Sequence, residues 1–261
     1  MSQGAEPGTS LHEDRTRALS FGSAAALYDR ARPSYPAELI DDLMALKPST
    51  ALDVGCGTGK ASRLLRERGV AVLGVEPDPR MAAVARSHGL QVEEATFEAW
   101  NPRGRRFDLI VSGQAWHWVD PTAGPATAAA VLPPGGHLAA FWNLGAHDPQ
   151  TLAVLTPIYA RMVPEIAEST TALGQHPHEE SSRVAAISES GHFERVELRS
   201  YTWEQWYTRA HWLDFLATHS DHAGLEPALR AALLDTVGDA VERMGGSLRM
   251  HFQTVLILAT R

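Results

Sequence analysis

Short apolar runs alternate with longer segments of helical periodicity over much of the chain after residue 50. This alternation is typical of βαβ units, in which each strand of a parallel sheet is followed by a helix that packs against the sheet. It indicates an α/β fold on a doubly wound parallel sheet. The predicted strands lie at 51–54, 71–75, 91–94, 107–112 and 137–142, and the predicted helices at 36–46, 60–68, 79–88 and 121–132.

The rhythm changes after Asn143, where helix-like spacing continues without a following strand. A strand is predicted again at 194–203, then helices at 204–218 and 227–244, and a last apolar strand at 251–260. We predict a flexible N-terminus over 1–20 and a single domain over 21–261. The domain is expected to carry helical cap elements at 21–35, 144–181 and 204–250.

The composition limits the possible partners and sites. The chain has 261 residues, a net charge of −8 and a single cysteine, Cys56, so an intrachain disulfide or a cysteine metal cluster is excluded and no metal site is expected. The acidic balance argues against binding of nucleic acid or an anionic membrane. Residues 1–20 lack the apolar core of a secretory signal, which predicts a cytoplasmic protein.

A glycine-dense turn follows the first predicted strand and opens a helix, with glycines at Gly55, Gly57 and Gly59. Glycine can adopt positive φ and lets a ligand approach the backbone closely. Glu76 ends the second apolar run, and a carboxylate there can accept hydrogen bonds from both hydroxyls of a ribose. The turn and the acid together predict a site for an adenosine-type ligand.

The spacing of these glycines separates the possible ligands. A dinucleotide fingerprint has a third glycine where this chain has Lys60, so pyrophosphate binding is disfavoured. A P-loop is excluded, because Ala61 stands where Ser or Thr should hold the metal.

The stretch from Leu52 to Gly59, LDVGCGTG, resembles the first motif of class I S-adenosylmethionine-dependent methyltransferases. The segments 107–112 and 132–138 look like the fourth strand and the start of the fifth strand of that family, and the resemblance covers about residues 24–143. The last run, 251–260, is similar to its antiparallel final strand. The resemblance implies a Rossmann-like seven-stranded sheet with the last strand antiparallel, and S-adenosyl-L-methionine as cofactor.

The resemblance also implies roles for individual residues. The glycine turn would pass under the methionine part of the cofactor, Glu76 would hold the ribose, and residues 95–98 would form the adenine turn, with Thr96 where relatives often have Asp. The run 21–36 resembles the cap segment of the branch that includes trans-aconitate methyltransferases. The cofactor-binding residues implied in this way are Tyr28, Arg32, Asp53, Gly55, Cys56, Gly57, Glu76, Pro77, Thr96, Phe97 and Gln114.

An aromatic segment follows the fourth predicted strand, where a substrate would lie. Aromatic walls suit a planar or apolar small molecule and can stabilise a sulfonium. His117 is a candidate general base, although a merely polar role is the alternative. Candidate substrate-pocket residues are Trp116, Trp118, Trp142 and His219, and the alternative for each of the first two is packing against the sheet edge.

The sequence thus predicts a methyltransferase that moves the methyl group of S-adenosylmethionine to a small-molecule nucleophile by in-line displacement. Acceptors that are methylated on N, O, S or C all stay open, and so do a monomer and a homodimer. Two alternatives remain: a non-catalytic binding module on the cofactor fold, and a nicotinamide-dependent oxidoreductase, which Lys60 disfavours.

Overall fold

The computed structural model describes His12, Leu19 and residues 21–174 and 180–261. Within these residues the strands form one seven-stranded sheet. They are β1 (Thr50–Val54), β2 (Ala71–Val75), β3 (Gln91–Glu93), β4 (Leu109–Gly113), β5 (His137–His147), β6 (Arg195–Thr208) and β7 (Ser247–Thr260). The order across the sheet is β3-β2-β1-β4-β5-β7-β6.

Strands β1 to β5 are parallel to one another, whereas β7 runs antiparallel to both β5 and β6. The predicted α/β fold, with seven strands and an antiparallel last strand, is therefore confirmed. The carboxyl ends of β1, β2 and β4 meet at one edge of the sheet, which is where open α/β sheets bind ligands.

Two α-helices precede β1, and α-helices then alternate with the strands as far as β5, except between β3 and β4. They are α1 (Ala25–Ala31), α2 (Ala37–Ala45), α3 (Lys60–Glu67), α4 (Pro79–Ser87), α5 (Ala123–Val131), α6 (Pro149–Met162), α7 (Pro164–Ala167), α8 (Glu180–Ser188), α9 (Arg209–Ala217), α10 (Ser220–Ala223) and α11 (Pro227–Arg243). Side-chain caps begin several of them: Asp78, for example, accepts a hydrogen bond from the backbone N–H of Arg80 at 2.8 Å.

Apolar side chains form three buried clusters. One joins strand residues such as Leu52 and Ile110 to Val131 of α5, and a second joins Leu109 to Leu39 of α2 and Leu65 of α3. The third brings together α6, α9 and α11 with the ends of β6 and β7. This third cluster holds much of the predicted cap, although the division of the chain into core and cap stays a prediction.

Strands β6 and β7 are longer than the sequence suggested. The predicted helix 204–218 is wrong over 204–208, because β6 continues to Thr208 and α9 begins only at Arg209. The reason is pairing with β7, in which Glu204 faces His251 and Thr208 faces Ser247. For the same reason β7 begins at Ser247 rather than 251.

Strand β5 also extends beyond its predicted end, through His147, which pairs with Met250 of β7. The cap elements predicted at 144–181 and 204–250 therefore each begin in a strand, and the second also ends in one. The predicted flexible segment 1–20 lies outside the described residues, apart from His12 and Leu19. None of the described helices has both the length and the apolar character needed to cross a membrane.

Candidate cofactor and substrate site

The glycine turn connects β1 to α3 with left-handed backbone at three positions. The φ angles of Gly55, Gly57 and Gly59 are +66°, +57° and +84°. A Cβ on Gly55 would lie 2.5 Å from the Cβ of Ala115, which follows β4, whereas one on Gly57 would meet only the methyl of Met81 at 3.5 Å. The turn therefore needs glycine at Gly55 for both backbone angle and close packing.

Glu76, directly after β2, is bonded to the glycine turn. One carboxylate oxygen accepts a hydrogen bond from the backbone N–H of Gly57 at 2.8 Å, and the other accepts one from the N–H of Asp78 at 2.9 Å. Burial raises the pKa of this carboxyl to about 7, although the two backbone hydrogen bonds act in the opposite direction. The acid thus lies against the turn, as the sequence predicts.

Two further predicted residues lie beneath the turn. Asp53 of β1 is buried and accepts a hydrogen bond from the Ser62 hydroxyl at 2.6 Å. Burial raises its pKa to about 6. Cys56 is buried, and its sulfur would lie 2.6 Å from a Cβ on Gly74 of β2, so the thiol fills the space that this glycine leaves.

Arg32, at the end of α1, connects the N-terminal segment to α9. Its guanidinium donates hydrogen bonds to the hydroxyl of Thr218 at 2.7 Å and to its carbonyl at 2.9 Å. The guanidinium carbon also lies 5.3 Å from the ring centre of Tyr28 and 5.2 Å from that of Phe215. Burial lowers the pKa of Arg32. No carboxylate among the described residues lies within ion-pair distance of it.

A cavity of about 420 Å³ lies over these residues. Every predicted cofactor residue lies in its wall: Tyr28, Arg32, Asp53, Gly55, Cys56, Gly57, Glu76, Pro77, Thr96, Phe97 and Gln114. All but one of the predicted substrate-side residues also lie there: His117, Trp118, Trp142 and His219.

Trp116 is the exception and is a correction to the sequence prediction. Its side chain is 5% exposed and packs in the apolar core beside Phe97, at 6.0 Å between ring centres. It belongs to a 3₁₀ turn, Trp116–Trp118, that turns this ring inward while His117 and Trp118 reach the cavity. The packing alternative therefore holds for Trp116.

The imidazole of His117 is fixed by its neighbour on β5. Its Nδ1 accepts a hydrogen bond from the indole N–H of Trp142 at 3.0 Å. In the neutral ring the other nitrogen, Nε2, must then carry the hydrogen. Because the lone pair at Nδ1 is already in use, this geometry disfavours His117 as the general base.

Gln114 follows β4 in a left-handed conformation, with φ of 59°, which is unusual for a residue other than glycine. Its side-chain amide donates to the carbonyl of Asn143 at 3.2 Å. Asn143 in turn donates to the carbonyl of Ser34 at 2.9 Å and accepts from the Thr254 hydroxyl at 2.7 Å. This network ties the N-terminal segment to β5 and β7 beside the cavity.

Sequence reasoning missed several residues of the cavity wall. Tyr35 and Asn143 could have been found, because each lies within a stretch that resembles the family. Phe215 and Phe252 could not be recognised from the sequence around them, since phenylalanine is just as common at ordinary core positions. Asp221 also lines the cavity, although only His219 of this segment was predicted to do so.

The comparisons with known proteins agree with this architecture. Residues 28–147 match the family model of a methyltransferase domain. An uncharacterized methyltransferase of Mycobacterium tuberculosis is 44% identical over 131 residues, which are 49% of this chain and 54% of that protein. A trans-aconitate 2-methyltransferase of Mycobacterium ulcerans is 28% identical over 52% of this chain and 54% of that protein. The chain thus spans about half the length of the curated relatives it matches.

Solved structures share the fold over most of the chain. A type II methyltransferase candidate from Anaeromyxobacter dehalogenans superposes with a TM-score of 0.62 and 24% identity, covering 88% of this chain and 97% of that one. A phosphoethanolamine N-methyltransferase of Haemonchus contortus, solved with S-adenosyl-L-methionine, gives a TM-score of 0.51 at 15% identity, covering 97% of this chain and 60% of that one. The resemblance to class I S-adenosylmethionine-dependent methyltransferases is therefore confirmed, and residues 28–147 are the part of the chain that matches the methyltransferase domain model.

Proposed function

We propose that the protein transfers the methyl group of S-adenosylmethionine to a small-molecule acceptor. When bound, this cofactor supplies a methyl group activated by its sulfonium, which the acceptor atom takes in line as S-adenosylhomocysteine leaves. The single observation that carries the proposal is the Glu76 carboxylate bonded across to the glycine turn at the wall of a cavity.

The residues of the turn fit an adenosine-type ligand. Each oxygen of Glu76 accepts one described backbone hydrogen bond, and a carboxylate oxygen has a second lone pair, which can accept from a ribose hydroxyl. Thr96, Phe97 and Pro77 lie in the same wall and would enclose the adenine. Asp53 and Cys56 would support the turn from below, because both are buried against neighbouring strands.

The N-terminal segment would bind the methionine end. The guanidinium of Arg32 is partly buried, and its described hydrogen bonds go to the uncharged oxygens of Thr218. A positive charge in this setting is well placed to bind a carboxylate. Tyr28 and Gln114 line the cavity beside it and would complete this end of the site.

The size and the lining of the cavity favour a small acceptor. The cavity as a whole, with its cofactor side included, has a volume within the range of small-molecule pockets, and its aromatic wall includes Trp118, Trp142, Phe215 and Phe252. The chain's part in the reaction is then to orient the acceptor and exclude water. A protein partner or nucleic acid is not needed, and we assign no general base.

Calorimetric titration of the full chain with S-adenosylmethionine tests the proposal. We expect a dissociation constant in the micromolar to millimolar range and weaker binding of NAD⁺, which tests the oxidoreductase alternative. Labelled S-adenosylmethionine incubated with a panel of small metabolites should then give methylated product, which a non-catalytic module would not form. Absence of any binding of S-adenosylmethionine up to millimolar concentration would show that the proposal is wrong.

A further inference from the structure

A chain of three hydrogen-bonded side chains ends at the cavity on Asp221. One oxygen of Asp221 accepts hydrogen bonds from the backbone N–H and from Nδ1 of His222, both at 2.7 Å. Nε2 of His222 lies 2.8 Å from the hydroxyl of Tyr159 on α6. His222 and Tyr159 are buried, and only Asp221 reaches the cavity wall.

The positions of the hydrogens in this chain follow from its geometry. Nδ1 of His222 donates to the carboxylate, so Nε2 of the neutral ring accepts from the Tyr159 hydroxyl. Burial raises the pKa of Tyr159, which keeps that hydroxyl protonated. Burial is the largest single influence and acts to raise the pKa of Asp221, but the lowering influences together, led by the hydrogen bond from His222, outweigh it and hold that pKa well below its usual range. Asp221 therefore stays an ionised acceptor.

Asp221 has no arginine or lysine within ion-pair distance among the described residues, although the positive charge of Arg32 attracts it from farther away. Its ion-pair partner there is His222, which is charged only if protonated. Arg32 lines the same cavity but donates to Thr218 instead. The Asp221 side chain is 21% exposed, and a carboxylate can accept about four hydrogen bonds. His222 supplies two and the Thr170 hydroxyl a third, so at least one position is left for a ligand.

We propose that Asp221 is an ammonium-binding subsite, which selects methyl acceptors that carry an amine. This inference rests on the proposed function. The ammonium group is the anchor and not the atom that is methylated, because a protonated nitrogen has no lone pair. The acceptor must therefore carry a separate nucleophilic atom.

A metal site is the other chemistry that these residues could serve. The ligand atoms of His219, Asp221 and His222 all lie within 4.8 Å of one another. Both ring nitrogens of His222 already take part in hydrogen bonds, however, and a metal would have to replace one of them. The structure thus favours the hydrogen-bonded chain, and Zn²⁺ is included in the test as a competitor of the ammonium probe.

Three probes of one shape but different charge test the subsite: tyramine, 3-(4-hydroxyphenyl)propionate and 4-ethylphenol. Each is titrated by calorimetry into the full chain saturated with S-adenosylhomocysteine. We expect tyramine to bind about tenfold more tightly than the other two, because an ion pair and a charge-assisted hydrogen bond are gained together. Asp221→Asn should remove this preference and change the affinity for S-adenosylhomocysteine less than about twofold.

Asp214→Asn is the matched control, since Asp214 lies on α9, pairs with Arg30 and does not line the cavity. It should leave all three affinities unchanged. Tyr159→Phe removes the donor to His222 but keeps the ring, and should weaken tyramine a few-fold. This second variant keeps the test decisive if Asp221→Asn does not fold.

Several outcomes would overturn the subsite. One is tighter binding of the carboxylate probe or the neutral probe than of tyramine. A second is a loss of S-adenosylhomocysteine affinity in Asp221→Asn as large as the loss of tyramine affinity, which would place the cofactor's own ammonium at Asp221. A third is displacement of tyramine by Zn²⁺ at micromolar concentration. If the wild-type chain binds neither S-adenosylmethionine nor S-adenosylhomocysteine, the proposed function fails instead. The same titrations on the unliganded chain then still decide on the subsite.

Discussion

The carboxylate of Glu76 accepts a hydrogen bond from the backbone N–H of Gly57 at 2.8 Å, so the end of β2 is joined to the turn that follows β1. The acid therefore has two tasks. It holds the turn in place, and it presents its remaining lone pairs at the wall of the cavity. A change at Glu76 should affect cofactor binding and stability differently, and the two effects can be measured separately.

Glu76→Gln should weaken binding of S-adenosylmethionine by about tenfold or more. The amide has one acceptor oxygen and presents a donor where the carboxylate had its second acceptor, so ribose hydroxyls lose charge-assisted hydrogen bonds. Calorimetry of both proteins at pH 8 measures the difference. The matched control is Glu94→Gln, because Glu94 is exposed and pairs with Arg86 away from the cavity. Equal affinity of Glu76→Gln and wild type would remove Glu76 from the proposed ribose contact.

The stability of the unliganded protein should depend on pH through Glu76. Its folded pKa is raised from 4.5 to about 7, chiefly by burial. The stability that it contributes is therefore fully present below pH 4.5 and is lost as the pH rises through 7. The side chain of Gln does not titrate. The free energy of unfolding of Glu76→Gln should therefore rise relative to that of wild type between pH 5 and pH 8. Urea unfolding at four pH values measures this difference, and a constant difference would contradict the assigned pKa.

Gly55→Ala should abolish most cofactor binding and destabilise the fold by about 1 to 3 kcal/mol, since it combines a left-handed backbone with a contact at 2.5 Å. Gly104→Ala separates these two causes. Gly104 has φ of +76° but nothing within 4 Å of an added Cβ, so only the backbone strain remains. Thermal unfolding and titration with S-adenosylmethionine should show a smaller loss of stability in Gly104→Ala and unchanged affinity. Equal behaviour of the two variants would show that the contact with Ala115 has no effect.

Local sequence patterns were sufficient for the parallel half of the sheet and for the cofactor side of the cavity. Strands such as β1 and β4 are short, apolar and buried on both faces, and the glycine turn lies next to β1 in the chain. Residues 204–208 could not be assigned in this way. They include polar residues such as Glu204, whose extended conformation depends on pairing with β7, far along the chain.

The substrate side was equally hard to predict, for a related reason. Asp221 acquires its geometry from Tyr159, which lies 63 positions from His222 in sequence and meets it only when α6 and α10 pack together. Trp116 and Trp118 look alike in the sequence, and only the 3₁₀ turn between them decides which ring faces the core. Local patterns carry no information on such contacts.

Arg32→Gln should weaken binding of S-adenosylmethionine by about tenfold, because the variant loses the partly buried positive charge that we assign to the methionine carboxylate. Arg30→Gln is the matched control two residues away, where the arginine is exposed and pairs with Asp214. It should change the affinity less than about twofold. A similar loss for Arg30→Gln would indicate that net charge, and not the position of Arg32, determines the effect.

The hydrogen bond from Trp142 to Nδ1 of His117 predicts that the imidazole carries its hydrogen on Nε2. Nitrogen-15 NMR of histidine-labelled protein should show this tautomer for His117 in the unliganded chain. In Trp142→Phe the donor is gone, so the tautomer balance should shift, while Trp118→Phe, which changes the other indole beside His117, should leave it unchanged. Once an acceptor is identified, His117→Gln should lower kcat by less than about threefold. Loss of a general base would instead lower kcat by about a hundredfold or more. A Nδ1–H tautomer in the wild type, together with such a large loss of kcat, would restore His117 as the base.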